Sequence, residues 1–466
     1  MAQDKWDLRR MVDYAMKNNI SVKQADVQAR IAALQVTQAG LNKYPTANFS
    51  PSLGVNFGRS IDPTSNQFTT QEFISNQYSL QGNATIFSFG KLKNTEAASR
   101  FSAEAALKDI EKAANDVALN VAIYYLQILA SNEQVNISKL QIQQTTEQLN
   151  TTQKKVDAGA LPELNLAELQ AQLATDSSNY ISAKTVFDQN VLSIKGLLNI
   201  DAALPFEVET PNVDLIPIET FSELQPEVIY AMALHDQPLQ QANDLRIQAA
   251  EKNIVVAKSS LYPSLNSYYS LGSSYNNKQL AATGDTAFYQ IPTLDPVAKV
   301  NVGGTDYNVF PIDPFQTAAV PVYAKSKYFD QINNNFNYGL GISINVPIFN
   351  NGNARLGYQR SKLDLENMQL LQQQDNQTLK LNIYTAYTNA INSLEKYNAG
   401  KKTEESTQKA YDYASKRYDV GLLSTIDLIT NQNNLLRAKL QQLSNHYDYV
   451  FKMKLLEFYK GQGLKL

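Results

Sequence analysis

The chain of 466 residues is 43% hydrophobic and 18% charged, with a formal net charge of −3. This composition is too apolar for a disordered chain, and the balanced charge gives no indication of nucleic-acid binding. The chain contains no cysteine, which excludes disulfides, thiol catalysis and cysteine metal sites. No apolar run reaches the roughly 18 residues that a transmembrane helix needs.

The first part of the chain predicts one structural repeat over residues 1–200, followed by a proline-containing linker over 201–224. Helical apolar spacing and period-two alternation define its elements. They are a helix over about 5–43, a strand pair over about 45–89, a long helix over 91–158 and a helix over 162–199. A glycine, Gly159, marks the turn between the last two helices.

Residues 225–466 predict a second copy of the same unit. Its elements are a helix over about 225–261, strands over about 263–276 and 335–348 with an inserted loop over 277–330, a long helix over 353–418 and a helix over 422–460. Tyr44-Pro45 corresponds to Tyr262-Pro263, and Gly159 corresponds to Gly421. Because the displacement between the copies grows inside the second strand pair, the insertion lies there.

Apolar residues on the predicted helices recur at steps of three, four and seven, as in Leu166, Leu169, Leu173 and Tyr180. This spacing is typical of the seam of a coiled coil. A soluble helical-bundle scaffold protein with no channel activity would show the same spacing. The stripes therefore indicate packing and leave the function open.

Each predicted strand alternates apolar residues with Asn, Ser and Gly, most clearly in the fourth. There the apolar positions are Phe336, Tyr338, Leu340, Ile342, Ile344, Val346 and Ile348. The pattern is typical of a half-buried strand and of a strand between lipid and a watery lumen. Four strands cannot close a barrel, which takes about eight, and lipid excludes an open sheet edge. In a membrane, several chains would have to share one barrel.

Two segments resemble a known family. Residues 418–428 (YDVGLLSTIDL) and their fainter copy 156–166 (VDAGALPELNL) look like the paired helix-turn-helix tips of TolC-like outer-membrane efflux proteins. The Tyr-Pro before each strand pair and the Ile-Phe after it are also similar to that family. The order and duplication of elements over nearly the whole chain carry the resemblance more than any single motif.

The resemblance implies a mostly α fold with membrane β-structure. In that TolC-like fold, a long α-helical coiled-coil barrel joins four β-strands per chain, which contribute to a shared trimeric 12-stranded β-barrel. It implies the exit duct of a tripartite efflux or type I secretion system in the outer membrane of a Gram-negative bacterium, with the helices in the periplasm. The implied partners are sister subunits of a homotrimer, a periplasmic adaptor protein, an inner-membrane pump and outer-membrane lipid. No cofactor, metal or nucleic acid is implied.

The implied site is the pair of helix turns, where an adaptor docks and the channel narrows. Its expected residues are Gly159, Leu161, Asn165, Tyr418, Gly421, Leu422, Ser424 and Asp427. Glycine suits a helix end with positive φ, and Ser424 with Asp427 suits a reciprocal N-cap. Tight-turn formation alone would explain these residues, so docking and simple turn-building both remain open. Leu423 stands where some family members carry an arginine that braces the closed state.

Other functions find less support in the sequence. The two histidines, His235 and His446, are too few and too isolated for a histidine metal site. Gly339-Leu340-Gly341 lies inside an alternating strand, which is not the context of a dinucleotide fingerprint. A simple porin would not need so much long helix. The inserted loop over 277–330 is expected at the cell surface, where it would cap the pore mouth, bind a surface partner or serve no function.

Overall fold

The computed structural model describes residues 5–61, 66–210, 216–292, 295–311 and 315–461. The described helices are α1 (Leu8–Asn18), α2 (Ile20–Leu41), α3 (Lys91–Asp157), α4 (Glu163–Leu197), α5 (Pro226–Asp236), α6 (Pro238–Ser259), α7 (Tyr328–Asn334), α8 (Asn353–Asp419) and α9 (Thr425–Tyr459). The described strands are β1 (Asn48–Ile61), β2 (Phe68–Phe87), β3 (Ser264–Asn276), β4 (Leu280–Pro292), β5 (Ala298–Val302), β6 (Thr305–Val309), β7 (Phe315–Lys325) and β8 (Asn337–Asn345).

The chain divides into two compact units. A helical unit comprises Met1–Gly40, Lys93–Lys258 and Asn353–Leu466, and a strand unit comprises Leu41–Leu92 and Ser259–Gly352. Over the residues described above, no helix combines the length and the apolar character needed to cross a membrane.

Equal helix lengths mark the duplication in the helical unit. The long helices α3 and α8 each have 67 residues, and α4 and α9 each have 35. At ~1.5 Å per residue, α3 and α8 are each about 100 Å long.

The first helix of each repeat is broken, where the sequence predicted one continuous helix. Asn19 leaves the helical region at ψ 138°; its side-chain amide donates to the Leu197 carbonyl at 2.7 Å, and its side-chain oxygen accepts from the Ser21 N–H at 2.8 Å. The equivalent break is at Gln237, with ψ 129°, because the following Pro238 disfavours helical geometry at the preceding residue. The prediction overlooked Pro238, which was a sequence signal for the second break; the first break has no proline beside it.

Two apolar clusters form the core of the helical unit, and they are copies of each other. The first contains Met11, Val121 and Ile194. The second contains, at the equivalent positions, Ile229, Ile383 and Leu456. The segment between the repeats packs into both, since Ile216 belongs to the first cluster and Leu224 to the second. Burial of this apolar surface is what holds the repeats together.

The strand unit contains an antiparallel sheet in the order β1-β2-β3-β8. Its register aligns Phe49 with Leu80, Leu80 with Leu271, and Leu271 with Tyr338. One irregularity lies in β2 between Thr85 and Phe87. Because side chains alternate across a strand, the register sorts the sheet into two contrasting faces.

One face of the sheet is mainly apolar, although it also carries Asn76, Ser267 and Ser273 and, at the end of β1 and the start of β2, Arg59 and Glu72. It carries Phe49, Leu53, Val55, Phe57, Ile74, Tyr78, Leu80, Tyr269, Leu271, Tyr275, Tyr338, Leu340, Ile342 and Ile344. The other face is uncharged and mostly small, with the aromatic Phe73 and Tyr268 as exceptions. It carries Asn48, Ser50, Ser52, Gly54, Asn56, Phe73, Ser75, Gln77, Ser79, Gln81, Asn266, Tyr268, Ser270, Gly272, Asn337, Gly339, Gly341, Ser343 and Asn345. The predicted period-two alternation is therefore present on all four strands.

The inserted segment contains regular structure, where the sequence analysis expected a loop. Strands β4 and β7 form one antiparallel hairpin, β5 and β6 form another, and helix α7 leads into β8. Gly303 and Gly304, with φ values of 64° and 89°, form the turn between β5 and β6. Two successive residues with positive φ suit a tight hairpin, so this Gly-Gly pair was the sequence signal that the prediction overlooked.

Candidate functional site at the paired helix turns

The turns α3–α4 and α8–α9 have the same backbone. In each, a glycine with positive φ ends the long helix: Gly159 at 72° and Gly421 at 78°. Each turn then closes with the two hydrogen bonds of a Schellman motif. These bonds are Ala160 N to Lys155 O (2.8 Å) and Gly159 N to Val156 O (2.8 Å) in the first turn, and Leu422 N to Arg417 O (2.8 Å) and Gly421 N to Tyr418 O (3.0 Å) in the second.

The helices that follow the two turns begin differently. Ser424 caps α9, because its hydroxyl oxygen accepts from the Asp427 N–H at 3.2 Å while its hydroxyl donates to the Asp427 carboxylate at 2.6 Å. The capping half of the predicted pair is present, but the carboxylate accepts from the hydroxyl instead of a backbone N–H. In the first turn Pro162 precedes α4 without a side-chain cap, and the Asn165 N–H bonds to the Pro162 carbonyl at 3.1 Å.

Tyr418 is the buried centre of the second turn. Its side chain is 5% exposed and packs with Ala414 and Leu428. Its hydroxyl shares a 2.8 Å hydrogen bond with the buried Thr152 hydroxyl of α3, so it joins a helix of one repeat to a helix of the other. The ammonium group of Lys155 lies 5.4 Å from the Tyr418 ring centroid and donates to the Asp419 carbonyl at 3.2 Å.

The outer surface of the turns is apolar and exposed. Val420, Leu422 and Ile426 in the second turn and Leu164 in the first are each more than half exposed. Leu161, in contrast, is half-buried. Scattered exposed apolar residues are common on proteins, but four of them on two neighbouring turns present a surface suited to a partner.

Near the turns, the seam of α3 changes from apolar to polar. Ser138, Gln141, Thr145 and Thr152 are buried at steps of three, four and seven, which are coiled-coil seam positions. Thr145 donates to the buried Asp176 carboxylate of α4 at 2.6 Å and accepts from the Gln432 amide of α9 at 3.0 Å. The sequence analysis missed this polar seam because it searched the heptad positions for apolar residues only.

A second polar contact joins α3 to α8 and lies farther from the turns than the contact between Thr152 and Tyr418. The Gln148 amide donates to the Tyr411 hydroxyl at 2.8 Å. Burial raises the pKa of Tyr411, and the nearby carboxylates of Asp412, Asp419 and Glu147 raise it further. This hydroxyl therefore stays protonated, and neutral, at physiological pH.

Across the described part of the chain, no three His, Asp or Glu side chains are grouped as a metal ion would require. The features of the site are turns, caps, exposed apolar residues and buried hydroxyl and amide pairs, and these are suited to docking and movement between helices.

The chain is similar to a known protein family and to characterised export proteins. A profile of the family described as outer membrane efflux protein matches residues 11–199 and 229–458. The Toxin and drug export protein A of Aggregatibacter actinomycetemcomitans is 19% identical over 95% of this chain and 83% of its own length. The pyoverdine export outer membrane protein OpmQ of Pseudomonas putida is 21% identical over 94% of this chain and 82% of its own.

Solved structures share the fold. The CusC crystal structure aligns with a TM-score of 0.75 at 15% identity, over 98% of this chain and 92% of its own. The CmeC outer membrane channel of Campylobacter jejuni aligns with a TM-score of 0.71 at 20% identity, over 98% and 86%. The open state of the MtrE outer membrane channel of Neisseria gonorrhoeae gives 0.71 at 17%, over 98% and 89%.

The chain belongs to the outer membrane efflux protein family. It has the TolC-like fold with two repeats, and it is an efflux channel of the Gram-negative outer membrane rather than an enzyme. The predicted fold, function and location are thereby confirmed, and the alternative of a scaffold without channel activity is wrong. TolC-family channels form trimers in tripartite efflux systems.

Proposed function

We propose that three copies of this chain form one exit duct, closed in the outer membrane by a shared 12-stranded β-barrel. The observation that carries the proposal is the sheet β1-β2-β3-β8, which has one mainly apolar face and one uncharged polar face, and whose outer edges, on β1 and β8, pair with no other described strand. The apolar face suits lipid, and the polar face suits a water-filled lumen.

The strand order supports closure between copies. Because all neighbours are antiparallel, β1 and β8 run in opposite directions. The β8 edge of one subunit can therefore pair with the β1 edge of the next without breaking the alternation. Closure removes the unpaired N–H and C=O groups that lipid does not tolerate.

We propose further that the two helix turns dock a periplasmic adaptor and narrow the channel. The exposed residues Val420, Leu422 and Ile426 supply an apolar contact surface. The polar seam beneath supports movement, since hydrogen bonds between Thr145, Asp176 and Gln432 can be exchanged for bonds to water. An apolar seam cannot make that exchange without losing its hydrophobic stabilisation.

Asp427 is the acidic residue that we propose for the narrow part of the lumen. Its carboxylate lies in the first turn of α9, and the equivalent position in the first repeat is the neutral Asn165. A trimer would therefore present three carboxylates and three amides near the turns.

The adaptor and the pump, and not the channel, would select the exported substrate. Relatives of this chain are named for the export of toxins, drugs and pyoverdine, so channels of this family are associated with different substrates.

Planar-bilayer recording of detergent-purified protein tests the duct. We expect a trimer that inserts spontaneously and gives uniform single-channel steps. Asp427→Asn should reduce the preference for cations, measured as a shift in reversal potential across a KCl gradient. The control Asp412→Asn removes an exposed acid that bonds to Gln408 within α8 and should leave the potential unchanged.

Two outcomes would contradict these proposals separately. A monodisperse monomer that is stable without detergent and gives no conductance would contradict the shared barrel. A conducting trimer whose reversal potential is the same in wild type and Asp427→Asn would contradict the role of Asp427 and leave the barrel intact.

A further inference from the structure

We propose that the inserted segment is an assembly arm, through which the three sister subunits grip one another beyond the barrel. The arm comprises β4, β5, β6 and β7 of one chain, and its occupant is the arm of the neighbouring copy. The inference rests on the proposed trimer.

Hydrogen bonds attach the base of the arm to the sheet. Gln331, in helix α7, is 1% exposed; its side-chain oxygen accepts from the Asn276 N–H at 2.9 Å, and its amide donates to the carbonyls of Asn276 and Ser326 at 3.0 Å each. The Tyr328 and Tyr78 hydroxyls share a 2.7 Å hydrogen bond. These bonds hold the segment after the arm to β2 and β3, so the arm starts from a defined place on the sheet.

The hairpin β5–β6 is amphipathic but has no covered face. Its register places Ala298, Val300, Val302, Thr305, Tyr307 and Val309 on one side, and Lys299, Asn301, Asp306 and Asn308 on the other. All ten strand residues are exposed. The polar side satisfies itself in part, since the Asn301 amide donates to the Asp306 carboxylate at 2.7 Å. The apolar side has no partner within the described residues of the chain.

A two-stranded ribbon of this kind needs a partner. An isolated hairpin is at best marginally stable in water, and exposed Val and Tyr residues add an unfavourable contact with water. The apolar side carries no charged residue, so it does not favour an acidic or basic partner. It requires another apolar surface.

The size of the surface favours a sister subunit. Five residues at ~3.3 Å each give a hairpin about 17 Å long, whose single apolar face offers on the order of 200 Å². A free protein partner usually buries about 800 Å² per side. Copies already held in one trimer meet at a local concentration in the millimolar range, at which a small contact suffices. A threefold rotation also closes such a contact into a ring.

Cysteine chemistry tests the contact directly, because the chain has no native cysteine. The probe is Val300→Cys on the apolar side, and the matched control is Asn308→Cys on the polar side. Purified trimers of each would be treated with a short flexible bismaleimide, or labelled with a charged maleimide. We expect dimer and trimer bands on a denaturing gel for Val300→Cys only, and labelling at least tenfold slower than for Asn308→Cys.

Each other outcome overturns the inference. Equally fast labelling on both sides would show an open hairpin. Slow labelling of Val300→Cys without cross-links between subunits, or with cross-links to lipid or to another protein, would show a different occupant. Val302→Cys, beside the Gly303 turn, serves as a second probe if Val300→Cys fails to fold. Loss of the trimer or of conductance in the cysteine-free parent would instead contradict the proposed function.

Discussion

The two helix turns have the same backbone geometry and different surroundings. Both end a 67-residue helix with a glycine of positive φ and the same pair of hydrogen bonds. The second turn adds a buried tyrosine and a serine cap, whereas the first has Val156 and Pro162 at those positions. The two copies therefore share the backbone conformation that reverses the chain. They differ in the side chains around it, which are more specialised in the second copy.

The largest expected effect comes from the buried tyrosine. Tyr418→Ala should destabilise the turn by about 3–5 kcal/mol, because it removes a buried aromatic ring and the partner of Thr152. The equivalent change Val156→Ala should cost about 1 kcal/mol, since Val156 is only half-buried. Hydrogen–deuterium exchange of amides 411–428 and 149–166 measures both. Equal acceleration in the two turns would contradict the asymmetry.

The glycines should show the symmetric part of the comparison. Gly159→Ala and Gly421→Ala should each cost about 1–2 kcal/mol, because a Cβ disfavours positive φ. Gly357 is a suitable control, since it lies within α8 without a positive φ and a Cβ added there meets open space. There alanine should be neutral or stabilising by up to about 1 kcal/mol. Thermal unfolding by circular dichroism reports all three, and a cost at only one turn would show that the shared motif is not equally important.

Removal of the cap tests the next difference. Ser424→Ala should cost about 1 kcal/mol, because the Asp427 N–H loses its acceptor. Ser182→Ala provides a matched control, since that exposed hydroxyl donates to the Ser178 carbonyl within its own helix, α4. Amide exchange at the start of α9 should accelerate in the first variant alone. Unchanged protection in Ser424→Ala would mean that the cap is not what starts the helix.

The smallest effect depends on pH. Burial raises the pKa of Tyr411 above its ordinary value of 10.0, so the folded state keeps this proton more tightly than the unfolded state. The associated stability is fully present below about pH 10 and is lost as the pH rises through the folded pKa. Tyr411→Phe should flatten the dependence above pH 10, whereas Tyr413→Phe, an exposed control, should not. If the free energy of unfolding depends on pH in the same way in both variants above pH 10, this prediction is wrong.

The sequence predicted the parts of the fold that depend on simple periods. Alternation placed Leu340 and Ile342 on one face and Gly341 and Ser343 on the other, because a strand repeats every two residues. The turns at Gly159 and Gly421 were predictable because positive φ selects glycine. The expected division into 1–200, 201–224 and 225–466 stays a prediction, as does the role of each residue in the candidate site.

Features that depend on tertiary contacts were not predictable. The break at Asn19 depends on the distant Leu197 carbonyl. The pairing of Thr152 with Tyr418 joins residues on different repeats, and no local pattern predicts such a contact. The polar seam of α3 has coiled-coil spacing, but its residues are Ser, Gln and Thr, so an analysis restricted to apolar residues did not detect it. Polar residues repeating at heptad steps would have indicated it.

The most direct measurement tests whether β1 of one copy pairs with β8 of the next. Leu53→Cys in β1 would be combined in turn with Leu340→Cys, Ile342→Cys or Ile344→Cys in β8, and the trimers oxidised. A shared barrel predicts that one of these pairs forms disulfides between subunits and yields a covalent trimer. Ile74→Cys with Leu340→Cys is the control, because β3 separates these strands. Monomers alone from every β1–β8 pair, with the β8 cysteines freely labelled, would contradict the account.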